Sequence, residues 1–256
     1  MRKLAPFIVV AVLTGCAGAF QWNTARQTNT IEAYQSFLDR YPDSKYADEA
    51  RSGIQTLMDS LRRIKRIHIV VEETYFKSWG ATDAIDEIQT DPGLPFAALC
   101  RGLFEHAGVV VESHPEGEYE ATLRVTVRGN PIYQSYRRDH AYSAVVDREG
   151  AHMGARLRGS IELTIRGSGI SYRQDFDRQI DPPRSVESVP AKFVLDKAAF
   201  RKAFDEGFSY SLCALVESLY GAEVLRSAVK YPDTDVQKAA RAYKKRTPSK
   251  ARESGD

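Results

Sequence analysis

From Tyr119 to Arg128 apolar and polar residues alternate without a break: Tyr119, Ala121, Leu123, Val125 and Val127 against Glu120, Thr122, Arg124, Thr126 and Arg128. Leu157, Ile161, Leu163 and Ile165 repeat the pattern against Arg158, Ser160, Glu162 and Thr164. A period of two sorts residues onto opposite faces, so each stretch predicts a strand with one dry and one wet face. Gly167-Ser168-Gly169 predicts the turn after the second strand, with residues 170–180 returning as its hairpin partner. Arg63–Glu73 and the run "VVVES" after Gly108 read as further strands.

Spacings of three and four mark the helices. The chain reads as helical from Trp22 to about Leu61, with Ile31, Tyr34, Phe37, Leu38 and Tyr41 on one face. Asn29, with Glu32 three residues on, predicts the start of that face. Pro42-Asp43 breaks it, and Ser44 can cap a second helix whose face is Ala47, Ala50, Ile54, Leu57 and Leu61. "LPFAALCRGLFEHAG" predicts a helix burying Leu99, Cys100, Leu103, Phe104 and Ala107, with Gly108 at its end. Lys197–Tyr220 predicts another, with Phe200, Phe204, Phe208, Leu212, Leu215 and Leu219 aligned. Beyond Ala222, Val224, Leu225 and Val229 precede a break at Pro232-Asp233, and Val236, Ala239 and Ala240 follow it. The end of the chain, from Tyr243, reads as disordered.

Together these elements predict an α+β protein. Residues 16–62 form a helical segment and 63–221 a two-layer domain, with a mostly antiparallel sheet and two helices on one face. Residues 222–256 form a helical extension and basic tail. The text "IEAYQSFLDRYPDSKYADEAR" resembles the TPR-like helix pairs of bacterial envelope lipoproteins. That resemblance implies that small Ala47 and Ala50 admit a close second helix while Tyr34, Phe37 and Tyr41 fill the gap. One repeat cannot bury its own face. It therefore either docks on the next domain as a collar or is completed by a partner. The order strand, helix, strands, helix is similar to small periplasmic α/β modules of envelope-assembly lipoproteins, a likeness of fold that fixes no function. The segment after Gly221 resembles a HEAT-like helix pair.

The N-terminus carries the most specific signal. Arg2-Lys3 precedes ten apolar residues, Leu4–Leu13, far short of the roughly 20 a spanning helix needs. A basic start, a short apolar run and small residues after it describe an export signal. Leu13-Thr14-Gly15-Cys16 resembles the lipobox of bacterial lipoproteins. The resemblance implies a signal peptide over 1–15, cleavage before Cys16, a diacylglyceryl thioether on its sulfur and a further acyl chain such as palmitate. Several chains together give stable anchoring where one does not. Ala17, in place of the aspartate that retains lipoproteins at the inner membrane, implies the outer membrane and its periplasmic face. The alternative is an ordinary secretory signal with an incidental cysteine.

Charge narrows the partners. The formal net charge of +2 equals the contribution of Arg2 and Lys3, so the chain beyond the signal is neutral and nucleic acid is not expected. Cys100 and Cys213 are an even pair for an oxidising compartment, either a disulfide or two buried thiols. No Cys/His cluster has metal spacing, and no cofactor is expected. GxSxG, HExxH and phosphate-loop motifs are all missing from the text. Asp139-His140 is an adjacent carboxylate–imidazole pair, but adjacent strand residues point apart. The expectation is a non-enzyme. "NPIYQSYRRDHAY" groups Tyr133, Tyr136, Arg137, Arg138 and Tyr142, residue types that anchor interfaces, and reads as a partner-binding loop. Two functions follow: binding or scaffolding another envelope protein in outer-membrane assembly, transport or structure, or binding peptidoglycan or a ligand through the polar sheet face and basic tail. A cell-wall hydrolase comes third.

Overall fold

The computed structural model describes residues 18–75, 92–136, 150–181, 197–230 and 234–247, with backbone alone at 131–136 and 150–153. Residues 18–28 form helix α1, followed by α2 (Ile31–Arg40) and α3 (Ala47–Arg62). Strand β1 (Arg66–Tyr75), helix α4 (Phe96–His106) and strand β2 (Val110–Glu112) come next. A meander of β3 (Ala121–Tyr136), β4 (Gly150–Ile165) and β5 (Ser171–Ile180) follows. Helices α5 (Lys197–Ala203), α6 (Ser209–Tyr220), α7 (Ala222–Ala228) and α8 (Thr234–Arg246) complete the described chain.

The protein is α+β, as the alternation and the helical spacings predict. The sheet, ordered β2-β1-β3-β4-β5, is mixed where a mostly antiparallel one was expected. β1 runs parallel to both β2 and β3, while β3, β4 and β5 are antiparallel. A period of two reports which face is buried and is silent on strand direction. Parallel neighbours usually need a long crossover. The segment containing α4 supplies one between β1 and β2. Because β2 spans only three residues, the short stretch 113–120 is enough to bring the chain back beside β1.

One face of the sheet makes the core. Ala121, Leu123, Val125, Val127, Leu157, Ile161 and Leu163 are fully buried, each such large side chain worth about 1.5–3 kcal/mol against exposure. Phe96 meets Phe204 and Phe208 edge-on at 4.9 and 4.7 Å, and Phe176 meets Phe208 at 5.6 Å. Gly159 is required on this face, since a Cβ there would stand 1.9 Å from the Thr126 carbonyl oxygen. The predicted helix over 197–220 is one rod with a wide π turn at Phe204–Phe208. An α-helix turns about 100° per residue, so steps of four over-rotate by about 40° each. The wider turn takes up that drift and keeps Phe200, Phe204, Phe208 and Leu212 on one face, all buried.

The N-terminal helices bolt onto this body. Trp22 of α1 stacks on Tyr46 at 5.5 Å and touches Tyr34 and Phe37, so three helices share one aromatic cluster. Gly53 lets α3 approach the Tyr34 ring, where a Cβ would sit 3.0 Å away. The start of α2 differs from expectation. Asn29 closes α1 at φ 49°, and Thr30 Oγ1 caps α2 by accepting from the Ala33 N–H at 3.2 Å. Glu32 is thereby released from capping. Its carboxylate accepts from the Arg173 N–H on the edge of β5 at 3.0 Å. Arg62 donates to the Leu219 and Ser218 carbonyls at 3.0 and 3.2 Å, satisfying acceptors that the end of α6 leaves open.

Candidate functional site

The expected partner-binding loop begins as a strand. Asn130–Tyr136 continues β3, paired residue for residue with Gly150–Arg156 of β4. Pairing of β1 with β3 stops at Gly129, and pairing of β5 with β4 stops at Ala155. From Ile132↔Gly154 to Tyr136↔Gly150, the two strands therefore pair with each other and with no other described strand. At about 3.4 Å per residue this ribbon extends roughly 15 Å past the described ends of its pairing with β1 and β5. Pro131 fits at its base, since a missing N–H is tolerated where no described neighbouring strand claims it. Tyr133 and Tyr136 lie on the ribbon. Arg137, Arg138 and Tyr142, together with Asp139-His140, lie outside the described residues, as does Cys16.

The sheet face opposite the core is a charge lattice. Arg124 reaches Glu72 at 3.8 Å, Arg173 reaches Asp175 at 2.8 Å, and Arg156 makes a two-pronged ion pair with Asp177. That hydrogen bond from Arg156 holds the Asp177 carboxyl below its usual range; burial opposes it, and the charges of Arg156 and Arg158 reinforce it. Arg128 stands directly opposite Arg158. Like charges so placed are unfavourable in themselves. Both outer edges of the sheet are occupied by charged side chains. Arg101 donates to the outward carbonyl of Val111 at 3.4 Å, and Glu32 takes the Arg173 N–H. Addition of a strand from another chain at these points is blocked, a common protection of edges.

No family model matches the chain, and no curated protein does. The residues themselves carry the argument.

Among the described residues no group of three or more His, Cys, Asp or Glu side chains could hold a metal ion. His68 Nδ1 lies 3.2 Å from the Glu112 carbonyl oxygen, and its ring rests 5.3 Å from Tyr119. Arg166 covers the same Tyr119 ring at 5.0 Å. Among the described residues, His106 Nε2 contacts Ser227 Oγ at 2.8 Å, the one serine–histidine pair that invites a catalytic reading. The Ser227 hydroxyl donates to the Val224 carbonyl at 2.9 Å. The pair ties α4 to α7. Cys100 and Cys213 are free and buried; the bridge weighed between them is not formed. Burial pushes the Cys100 thiol well up, and burial with the nearby Glu217 charge pushes Cys213 up to about 12. Neither supplies a thiolate near neutrality.

Two features escaped the sequence reading. The ribbon did, because "NPIYQSY" and "GAHMGAR" lack clean alternation and contain Pro131, Gly150 and Gly154. So did the length of the last helix. α8 runs to Arg246 with Tyr243 buried, although the sequence from Tyr243 onward reads as disordered. Tyr243 at four residues from Ala239 continues the buried face and was the available signal.

Proposed function

We propose that this protein is a lipid-anchored, periplasm-facing component of the outer membrane that binds and positions another envelope protein and catalyses no reaction. The anchor reading rests on Leu13-Thr14-Gly15-Cys16. α1 is already helical at Gly18, so an acylated Cys16 would hold the body against the membrane on a very short tether. The α2–α3 hairpin is TPR-like in its small residues against Tyr34, yet it is fastened to the body by Glu32 and Arg62. It acts as a collar, and its face is not left open for a peptide.

The observation that carries the partner-binding reading is the β3–β4 ribbon. It projects past both flanking strands and bears Tyr133 and Tyr136, amphipathic residues enriched at binding hot spots. Photo-crosslinking in cells tests it. A benzoylphenylalanine at position 133 or 136 should give a discrete protein adduct, and one at exposed Lys230 should give none. Equal labelling at all three positions, or none at the ribbon, would contradict the reading. A second reading, a module for anionic wall polymer, is favoured by the opposed Arg128 and Arg158. Salt-sensitive sedimentation with sacculi, lost in Arg128→Gln/Arg158→Gln, would support it instead.

A further inference from the structure

α8 has two faces of opposite character, and the body fixes which one looks outward. Val236, Ala239, Ala240 and Tyr243 are buried. Val236 fills the space above Gly102 of α4, where a Cβ would come within 2.5 Å of its methyl. Both ends are clamped. Asp235 accepts from Arg201 at 2.7 Å, and Arg246 pairs with the Glu206 carboxylate at 3.3 Å while donating to its backbone carbonyl at 3.1 Å. Tyr243 adds a hydrogen bond to Glu217. The helix cannot roll without breaking these ties.

Lys238, Arg241, Lys244 and Lys245 are held on the other side, all exposed. At about 100° per residue the four fall within roughly 120° of arc. None has an ion-pair partner among the described residues, and the one acid of α8, Asp235, is committed to Arg201. Arg246, next to Lys245 in sequence, is instead committed to Glu206. Charges of one sign three and four residues apart repel one another. A nearly neutral chain has nonetheless concentrated them on one rigid face.

We propose that this stripe docks on an anionic phospholipid surface. Its shape favours that occupant: one convex helix flank meets many headgroup phosphates at once. The stripe includes no aromatic ring on which a nucleic-acid base could stack, since Tyr243 faces the core. Long alkyl stems let ammonium and guanidinium groups settle at the headgroups while the backbone stays outside. The inference depends on the lipid-anchor reading only for which membrane is met.

The test removes the anchor so that the two can fail separately. Full-length Cys16→Ser protein is titrated with phosphatidylcholine vesicles and with vesicles containing phosphatidylglycerol, at low and high salt. The same is done for that chain carrying Lys238→Gln, Arg241→Gln, Lys244→Gln and Lys245→Gln. Both chains keep residues 1–15, so their difference reads the stripe alone. Four cations should raise the anionic-over-neutral preference by up to about a thousandfold at low salt, and the quadruple variant should lose it. A fourfold Lys/Arg exchange (Lys→Arg, Arg→Lys) should retain it and guards against misfolding. Equal preference in the wild-type and quadruple-Gln stripes would overturn the proposal. So would equally tight binding of soluble polyphosphate, which would make the stripe a general polyanion site.

Discussion

At the scale of single residues, the pattern in the text reports burial well and bonding partners poorly. Leu123, Ile161 and Phe208 are buried where the periodicity puts them. Glu32 was legible as a helix-start residue, yet its partner is a backbone N–H 141 positions away, which no local rule can reveal. Tyr220 shows the same limit. Its ring packs edge-on to Phe104 at 6.0 Å, and its hydroxyl is buried with no hydrogen-bond partner among the described residues. Burial, with the charge of Glu120 adding, raises this phenol from 10.0 to about 12. The native state therefore resists an ionisation that the unfolded chain undergoes freely. The associated stability is full below pH 10 and is lost as pH rises towards 12. Two pH units correspond to at most about 3 kcal/mol. Tyr220→Phe should leave stability at pH 7 within about 1 kcal/mol of wild type, because no hydrogen bond is removed. Denaturant midpoints between pH 9 and 12 should fall less steeply in the variant. An unchanged alkaline slope would show that the phenol titrates normally.

At the scale of elements, existence and facing were legible, while direction, extent and docking were not. The alternation in β3 and β4 identifies their dry faces, but β1 pairs parallel to β3 through contacts distant in sequence. The helical hairpin was readable from Tyr34, Phe37, Ala47 and Ala50, and its attachment was not, because Arg62 gives no sign that it will reach the end of α6. That attachment makes a measurable claim. Arg62→Ala removes two charge-assisted bonds to carbonyls and should cost about 1–2 kcal/mol. The loss should be concentrated locally: amide exchange in α2 and α3 should accelerate more than in β3 and β4. Uniform acceleration across sheet and hairpin would mean that the collar and body unfold as one unit. The candidate site follows the same rule. Tyr133 and Tyr136 were singled out by residue type, whereas the projecting ribbon that carries them depends on where β1 and β5 stop.

At the scale of the whole molecule, one buried cluster runs from Trp22 in the first helix to Tyr243 in the last. No described helix is long and apolar enough to cross a membrane. The bilayer association proposed here rests on Cys16, with the α8 stripe as a second contact. Placing the ribbon, the collar and the stripe in an envelope is meaningful only if the anchor exists. The most direct test is metabolic palmitate labelling with membrane fractionation in a Gram-negative host, comparing the wild-type chain with Cys16→Ser. The account predicts label and outer-membrane sedimentation for wild type, and loss of label with release from that fraction for the variant. A wild-type protein recovered unlabelled and soluble would contradict it.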